Sequence, residues 1–243
     1  MRHLRTFRHR FYSLAKPRIH EIRAGFSQTF TPREIAHIFR RLDDALSPLS
    51  SGLYPKGKYR SKLRCLGWKL SIIWAADDEC TYENERPWKV DAVCAYGRKL
   101  IGMTVTYHSE LVKNWSYHQY AFRTAIGCVL AHEYAHTNQK VSYVKNCARQ
   151  TYRMTPTGPI CKLRTPAQYR SVGTEFSADI FAICYYIWRN PRANLYAVLE
   201  NTLIEMCNRR AEMEGLLANH SYIEKLSIHW DLNKCIPVSS YPF

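Results

Sequence analysis

Phe122-Arg123-Thr124-Ala125-Ile126-Gly127-Cys128-Val129-Leu130-Ala131-His132-Glu133-Tyr134-Ala135-His136 is the stretch on which the reading of this 243-residue chain turns. Phe122, Ala125, Ile126, Val129 and Leu130 recur at the three- and four-residue spacing of one helix face. Ahead of them, Ser116-Tyr117-His118-Gln119 has the form of a capping box and marks a helix start. The spacing predicts an amphipathic helix whose apolar stripe seats its C-terminal end, with both histidines, in a core.

Two histidines at i and i+4 lie about 40° apart around a helix axis, so both imidazoles can reach one ion. Glu133 sits beside them, within reach of a water on that ion. Five residues are a short motif, and a third ligand is needed to give it weight. The metzincin pattern requires a histidine six residues beyond His136, but Ser142 stands there. The next histidine downstream is His220, whereas Glu175-Phe176-Ser177-Ala178-Asp179 sets two carboxylates at i and i+4 on a second expected helix, Glu175 to Arg189, ended by Asn190-Pro191. Glu175 suits a third ligand, although a glutamate in a first helical turn also simply complements the helix dipole. Asp179, in mid-helix, needs a partner if it faces the core, and the second N–H of a ligand histidine would supply one.

Together these segments resemble the H-E-x-x-H plus E-x-x-A-D pairing of gluzincins, as found in the HtpX and CAAX-protease group, in ImmA/IrrE-type regulators and in the soluble phage-exclusion protease Lit. Asp91 to Leu111 is similar to the sheet segment that precedes the motif helix in the HtpX group, so the resemblance covers about Asp91 to Arg189, less than half the chain. It implies a zincin-like α+β fold: a small antiparallel or mixed sheet with an edge strand beside the H-E-x-x-H helix, a second ligand helix and C-terminal helices. It implies Zn2+ held by His132, His136 and Glu175, with Asp179 behind a ligand histidine. Glu133 is then the general base that takes a proton from water attacking a scissile carbonyl and passes it to the leaving amine. Relatives carry a further histidine downstream, and His220 in Asn219-His220-Ser221 is the match as an oxyanion donor. The proline that usually follows is absent, and His229 or Tyr222 are alternatives. HtpX-like and CAAX enzymes are embedded in membranes, whereas this chain lacks any apolar run near the roughly 18 residues a span requires, so their substrates do not carry over. The interval between His136 and Glu175 is longer than is usual in ImmA/IrrE proteins, which leaves the soluble, Lit-like class as the better match.

Around this centre, 46% hydrophobic residues are enough for a proper core, and residues 31–243 read as one domain. Residues 1–30 form a basic N-terminal arm, with Arg2, Arg5, Arg8 and Arg10 and no acid before Glu21, a composition open to disorder. Thr31-Pro32-Arg33-Glu34 starts a helix running to about Leu46, Ser47 to Lys58 is a loop, and Leu66 to Ala75 a strand. Trp88 to Ala95 and Leu100 to Tyr107 form a hairpin around Tyr96-Gly97-Arg98. Leu100 to Tyr107 is expected at the sheet edge, where it would pair with an extended substrate backbone. Ala193 to about Leu217 is a third helix. Nine cysteines, scattered singly, point to reduced thiols and a cytoplasmic setting.

The net charge of +15 draws anionic partners without choosing among them. Between Thr137 and Thr174 there is no acidic residue, while Lys140, Lys145, Arg149, Arg153, Lys162, Arg164 and Arg170 are basic. Two functions follow as expectations. One is a soluble zinc-dependent endopeptidase acting on a protein or peptide target, with the basic charge favouring an acidic one, in a regulatory, toxic or phage-defence role. The other is a nucleic-acid-binding protein with a structural or vestigial zinc site, in which Tyr143, Tyr152 and Tyr169 stack on bases instead of packing their segment against the core.

Overall fold

The computed structural model describes residues 32–46, 58–65, 67–77, 87–95, 99–114, 116–163, 168, 173–190 and 215–216. In chain order the elements are α1 (Pro32–Ala45), β1 (Lys58–Cys65), β2 (Trp68–Ala76), β3 (Trp88–Ala95), β4 (Leu100–Tyr107), α2 (Ser109–Asn114), α3 (Ser116–Thr137), α4 (Val141–Thr151), β5 (Tyr152–Thr155), β6 (Gly158–Cys161) and α5 (Gly173–Arg189). The architecture is α+β. One mixed sheet runs β1-β2-β4-β3, antiparallel except for the parallel β2–β4 pair, and β5–β6 form a separate two-stranded ribbon. No helix among the described residues is long and apolar enough to cross a membrane.

Alternation along the strands gives the sheet its core face. Trp68, Leu70, Ile72 and Trp74 of β2, Ile101, Met103, Val105 and Tyr107 of β4, and Trp88 and Val90 of β3 are buried. The aromatic rings of this face dock α3 directly: Trp68 lies 5.0 Å from Tyr134, and Trp88 and Tyr107 lie 5.4 and 5.5 Å from Phe122, between ring centroids. α3 was expected to be amphipathic. Instead it is enclosed on nearly every side, because the sheet, α1 and α5 all pack on it; of Ala121 to Ala131, only Arg123 is not buried.

Leu100–Tyr107 is not the edge strand that its sequence position suggested. β4 pairs along its whole length with β2 on one side and β3 on the other, so among the described residues the edge beside α3 is β3. Side-chain size accounts for the order. β4 offers four large buried residues, whereas β3 declines from Trp88 and Val90 to Ala92 and Cys94, and the poorer apolar face goes to the rim. The helix and strand boundaries expected for α1, β2, β3, β4, α3 and α5 hold to within a few residues. β1, α2 and the β5–β6 ribbon were not foreseen, and the expected helix from Ala193 falls largely outside the described residues.

α1 is tied to both other long helices. Phe39 meets Phe181 and Tyr185 edge-on, with centroids 5.1 and 5.5 Å away. Asp43 Oδ2 accepts from Arg123 Nη2 of α3 at 2.9 Å, while Oδ1 accepts from Arg189 Nη1 and from the Tyr185 hydroxyl of α5. Burial and the nearby Asp43 charge push the Tyr185 phenol well up, keeping it a proton donor. Its ring lies across Gly127 of α3, where a Cβ would sit 2.2 Å from the Tyr185 oxygen. Gly127→Ala is therefore expected to overpack the α3–α5 contact and destabilise the protein by about 1–3 kcal/mol, measured by urea unfolding. An unchanged midpoint would mean that the two helices do not approach this closely.

Candidate metal centre

The last turns of α3 carry His132 and His136, and the first turn of α5 carries Glu175. Helical spacing sets the two rings side by side and nearly perpendicular, 4.8 Å between centroids, and the α3–α5 contact brings the carboxylate to their Nε2 atoms. His132 Nε2 lies 3.1 Å from His136 Nε2, and Glu175 Oε2 lies 3.4 Å from the first and 3.7 Å from the second. Both histidines are buried and Glu175 is largely so. These three residues could hold a metal ion.

The groups behind the rings decide what the facing atoms are. Asp179 of α5 is fully buried, and its Oδ1 lies 2.9 Å from His132 Nδ1. Behind the other ring, Gln139 Oε1 lies 3.0 Å from His136 Nδ1. The Gln139 amide cannot be turned round, because its Nε2 donates to the Thr174 carbonyl at 2.7 Å and to Ser177 Oγ at 2.9 Å, while Ser177 in turn donates to the same carbonyl. An amide oxygen only accepts, so His136 Nδ1 carries a proton, and in the neutral ring Nε2 is the nitrogen left with its lone pair. The carboxylate at His132 Nδ1 favours the same tautomer there. With both rings neutral, two lone pairs and a carboxylate oxygen would thus converge. In a buried place that arrangement is repulsive unless a proton or a metal cation stands among the three.

Burial by itself would raise the Glu175 carboxyl, but hydrogen bonding and charge from His132 and His136, which these rings supply when protonated, outweigh this and hold it well below the usual carboxylate range; positive charge at this point is what keeps the carboxylate ionised. Glu133 follows His132 on α3. Burial first, and the Glu133 charge second, push the Cys94 thiol of β3 up to about 12.

The structure brings together His132, His136, Glu175 and Asp179, with Glu133 alongside. His220, His229 and Tyr222 lie outside the described residues, as do Tyr169, Arg164 and Arg170. Sequence reasoning missed Gln139. Its signal was its position, one turn beyond His136, where the chain leaves α3 through bonds from Asn138 N to Ala135 O and from Gln139 N to His136 O. Tyr143, suggested for base stacking, is half-buried instead, with its hydroxyl packed where a Cβ on Gly173 would sit. Tyr152 remains exposed.

Two measurements check this arrangement. Gln139→Ala and Asp179→Asn are each expected to weaken metal binding by roughly 10–100-fold in competition with a chromophoric chelator, without abolishing it; unchanged affinity would detach these residues from the rings. On alkylation at neutral pH followed by peptide mass mapping, exposed Cys161 should label well before Cys94, Cys128, Cys147 and Cys184. Early labelling of Cys94 would contradict its placement against α3.

Comparison with protein-family models, with curated proteins and with solved structures finds no match, so the assignment of this centre rests on its own atoms.

Proposed function

We propose that the chain is a zinc-dependent endopeptidase of the gluzincin type, with His132, His136 and Glu175 holding the ion and Glu133 acting as general base. The observation that carries the reading is the convergence of two imidazole nitrogens and one carboxylate oxygen at mutual distances of 3.1, 3.4 and 3.7 Å. Donor atoms bound at about 2.0–2.1 Å to a tetrahedral zinc ion stand roughly 3.3 Å apart, so this set fits zinc with little adjustment. Three protein donors leave a fourth position open, as catalytic zinc sites do and closed structural ones do not. Bound there, zinc supplies Lewis acidity that polarises a carbonyl oxygen and lowers the pKa of water toward neutrality.

The protein's own groups supply the rest. Two neutral imidazoles and one carboxylate cancel only part of a divalent charge, which preserves that acidity. Asp179 and Gln139 lock the rings, so the donors need little reorganisation. Glu133 accepts a proton from the attacking water and returns it to the leaving amine. β3 rather than β4 offers the main-chain edge on which an extended substrate can lie alongside Glu133. The free cysteines are in keeping with a cytoplasmic site of action. The target on this reading is a protein, with the basic character of the chain favouring an acidic one.

Glu133→Gln is expected to retain zinc and fold normally while losing about 10²–10⁴-fold in cleavage rate. His136→Ala should lose zinc and cleavage together. The measurement is zinc content beside a proteomic comparison of N-termini generated by wild type and variant. New N-termini that persist undiminished with Glu133→Gln would remove this mechanism.

A further inference from the structure

Away from the metal centre, α4 and the β5–β6 ribbon form a surface that the peptidase reading does not use. The ribbon is well made. Pro156 and Thr157 turn the chain, Gly158 takes a positive φ of 122°, and Thr155 Oγ1 donates to the Gly158 carbonyl at 2.7 Å. Its base is fastened to α4, where Lys162 N donates to the Thr151 carbonyl at 2.8 Å, Lys162 Nζ to the Arg149 carbonyl at 2.9 Å, and buried Thr151 Oγ1 to the Cys147 carbonyl at 2.8 Å. Even so, both of its faces are open. Tyr152 and Met154, paired with Cys161 and Pro159, point one way, and Arg153, paired with Ile160, points the other; Met154 is 75% exposed and Ile160 56%.

A two-stranded ribbon in water is marginal, and large apolar side chains on its exposed faces raise its cost. Among the described residues no further strand pairs with either edge. The bond from Lys162 N to Thr151 O sets the ladder phase, so Thr151–Lys162, Arg153–Ile160 and Thr155–Gly158 are the hydrogen-bonded pairs. The Met154 N–H and C=O therefore point outward from β5, and among the described residues no strand pairs with that edge. Pro159, which has no N–H, falls at an outward position of β6, where none is required by the ladder. Lys140, Lys145, Arg149, Arg153 and Lys162 surround the ribbon in sequence, all exposed, with no acidic residue from 137 to 163.

We propose that the β5 edge is a docking site for an extended acidic segment of a partner protein, which adds as a third strand with its apolar side chains on the Met154 face and its acidic ones on the Arg153 face. Three features select a polypeptide over other anions. The Met154 N–H and C=O form a donor and acceptor pair of the kind another peptide backbone matches, while the Tyr152 N–H is taken by the Ala148 carbonyl. Apolar and basic side chains alternate along a strand as they would against a segment of alternating apolar and acidic residues. The aromatic stacking expected for nucleic acid is reduced among the described tyrosines, since Tyr143 is packed away. This surface does not depend on turnover at the metal centre, and its test is binding without cleavage.

The probe is a fluorescein-labelled peptide of alternating Glu and Val, beside its Gln and Val twin, titrated by anisotropy with the full chain carrying Glu133→Gln so that neither peptide is consumed. The acidic peptide is expected to bind at least tenfold more tightly than the twin. Met154→Pro, which removes the outward N–H, and Arg153→Glu should each weaken it at least tenfold, whereas Met154→Leu should bind as the parent does. Unfolding midpoint and zinc content, unchanged in each variant, guard against a misfolded ribbon. The proposal is overturned if the acidic peptide fails to bind, or if Met154→Pro binds it normally. It is also overturned if single-stranded DNA or phosphatidylserine vesicles bind at this surface and displace the peptide.

Discussion

The close passage of α3 and α5 at Gly127 is the contact on which everything else in this protein depends. Tyr185 lies where a side chain on residue 127 would be, and its hydroxyl continues past α3 to Asp43 of α1. One ring thus spaces two helices and recruits a third. Because the helices run so near each other, the first turn of α5 overlies the last turns of α3, and a carboxylate from one reaches imidazoles from the other. A wider crossing would leave the same residues in sequence and take the metal centre away.

Three acids of the helical layer, one buried and two partly so, each have a different solution to the cost of desolvation. Asp43 lies against two arginines and a phenol, and its work is mechanical, fastening α1 to both neighbours. Asp179, which no solvent reaches, faces one imidazole nitrogen and orients it. Glu175 meets the Nε2 edges of two imidazoles, where a proton on either ring or a bound cation would offset its charge.

Much of this was legible in the chain because its signals are local. The helix bearing His132 and His136, the hairpin of β3 and β4, and the helix from Glu175 follow from periodicity, capping and turn residues. What failed was whatever depends on neighbours. Alternation in Leu100–Tyr107 reports a half-buried strand but not how many strands flank it, so an interior strand was read as an edge. Apolar spacing in α3 reports one covered face, whereas three elements close round it. Gln139 became meaningful only once Thr174 and Ser177 came within reach, a contact made by tertiary packing. The β5–β6 ribbon was hidden because Pro156 and Pro159 make Thr155 to Ile160 look like irregular loop, although proline is compatible with a tight turn and with an outward strand position.

The pair Gln139 and Thr174 also has an architectural meaning. The chain leaves the core at one and returns at the other, 35 residues later, and a single hydrogen bond joins the points of departure and return. Everything between them is an excursion with its two ends pinned together. The entropy of closing such a loop grows only with the logarithm of its length, so residues can be inserted, deleted or exchanged near its tip at small thermodynamic expense. The centre and the ribbon are accordingly free to diverge at different rates, the one held by packing against α3 and the other answerable only to whatever it touches.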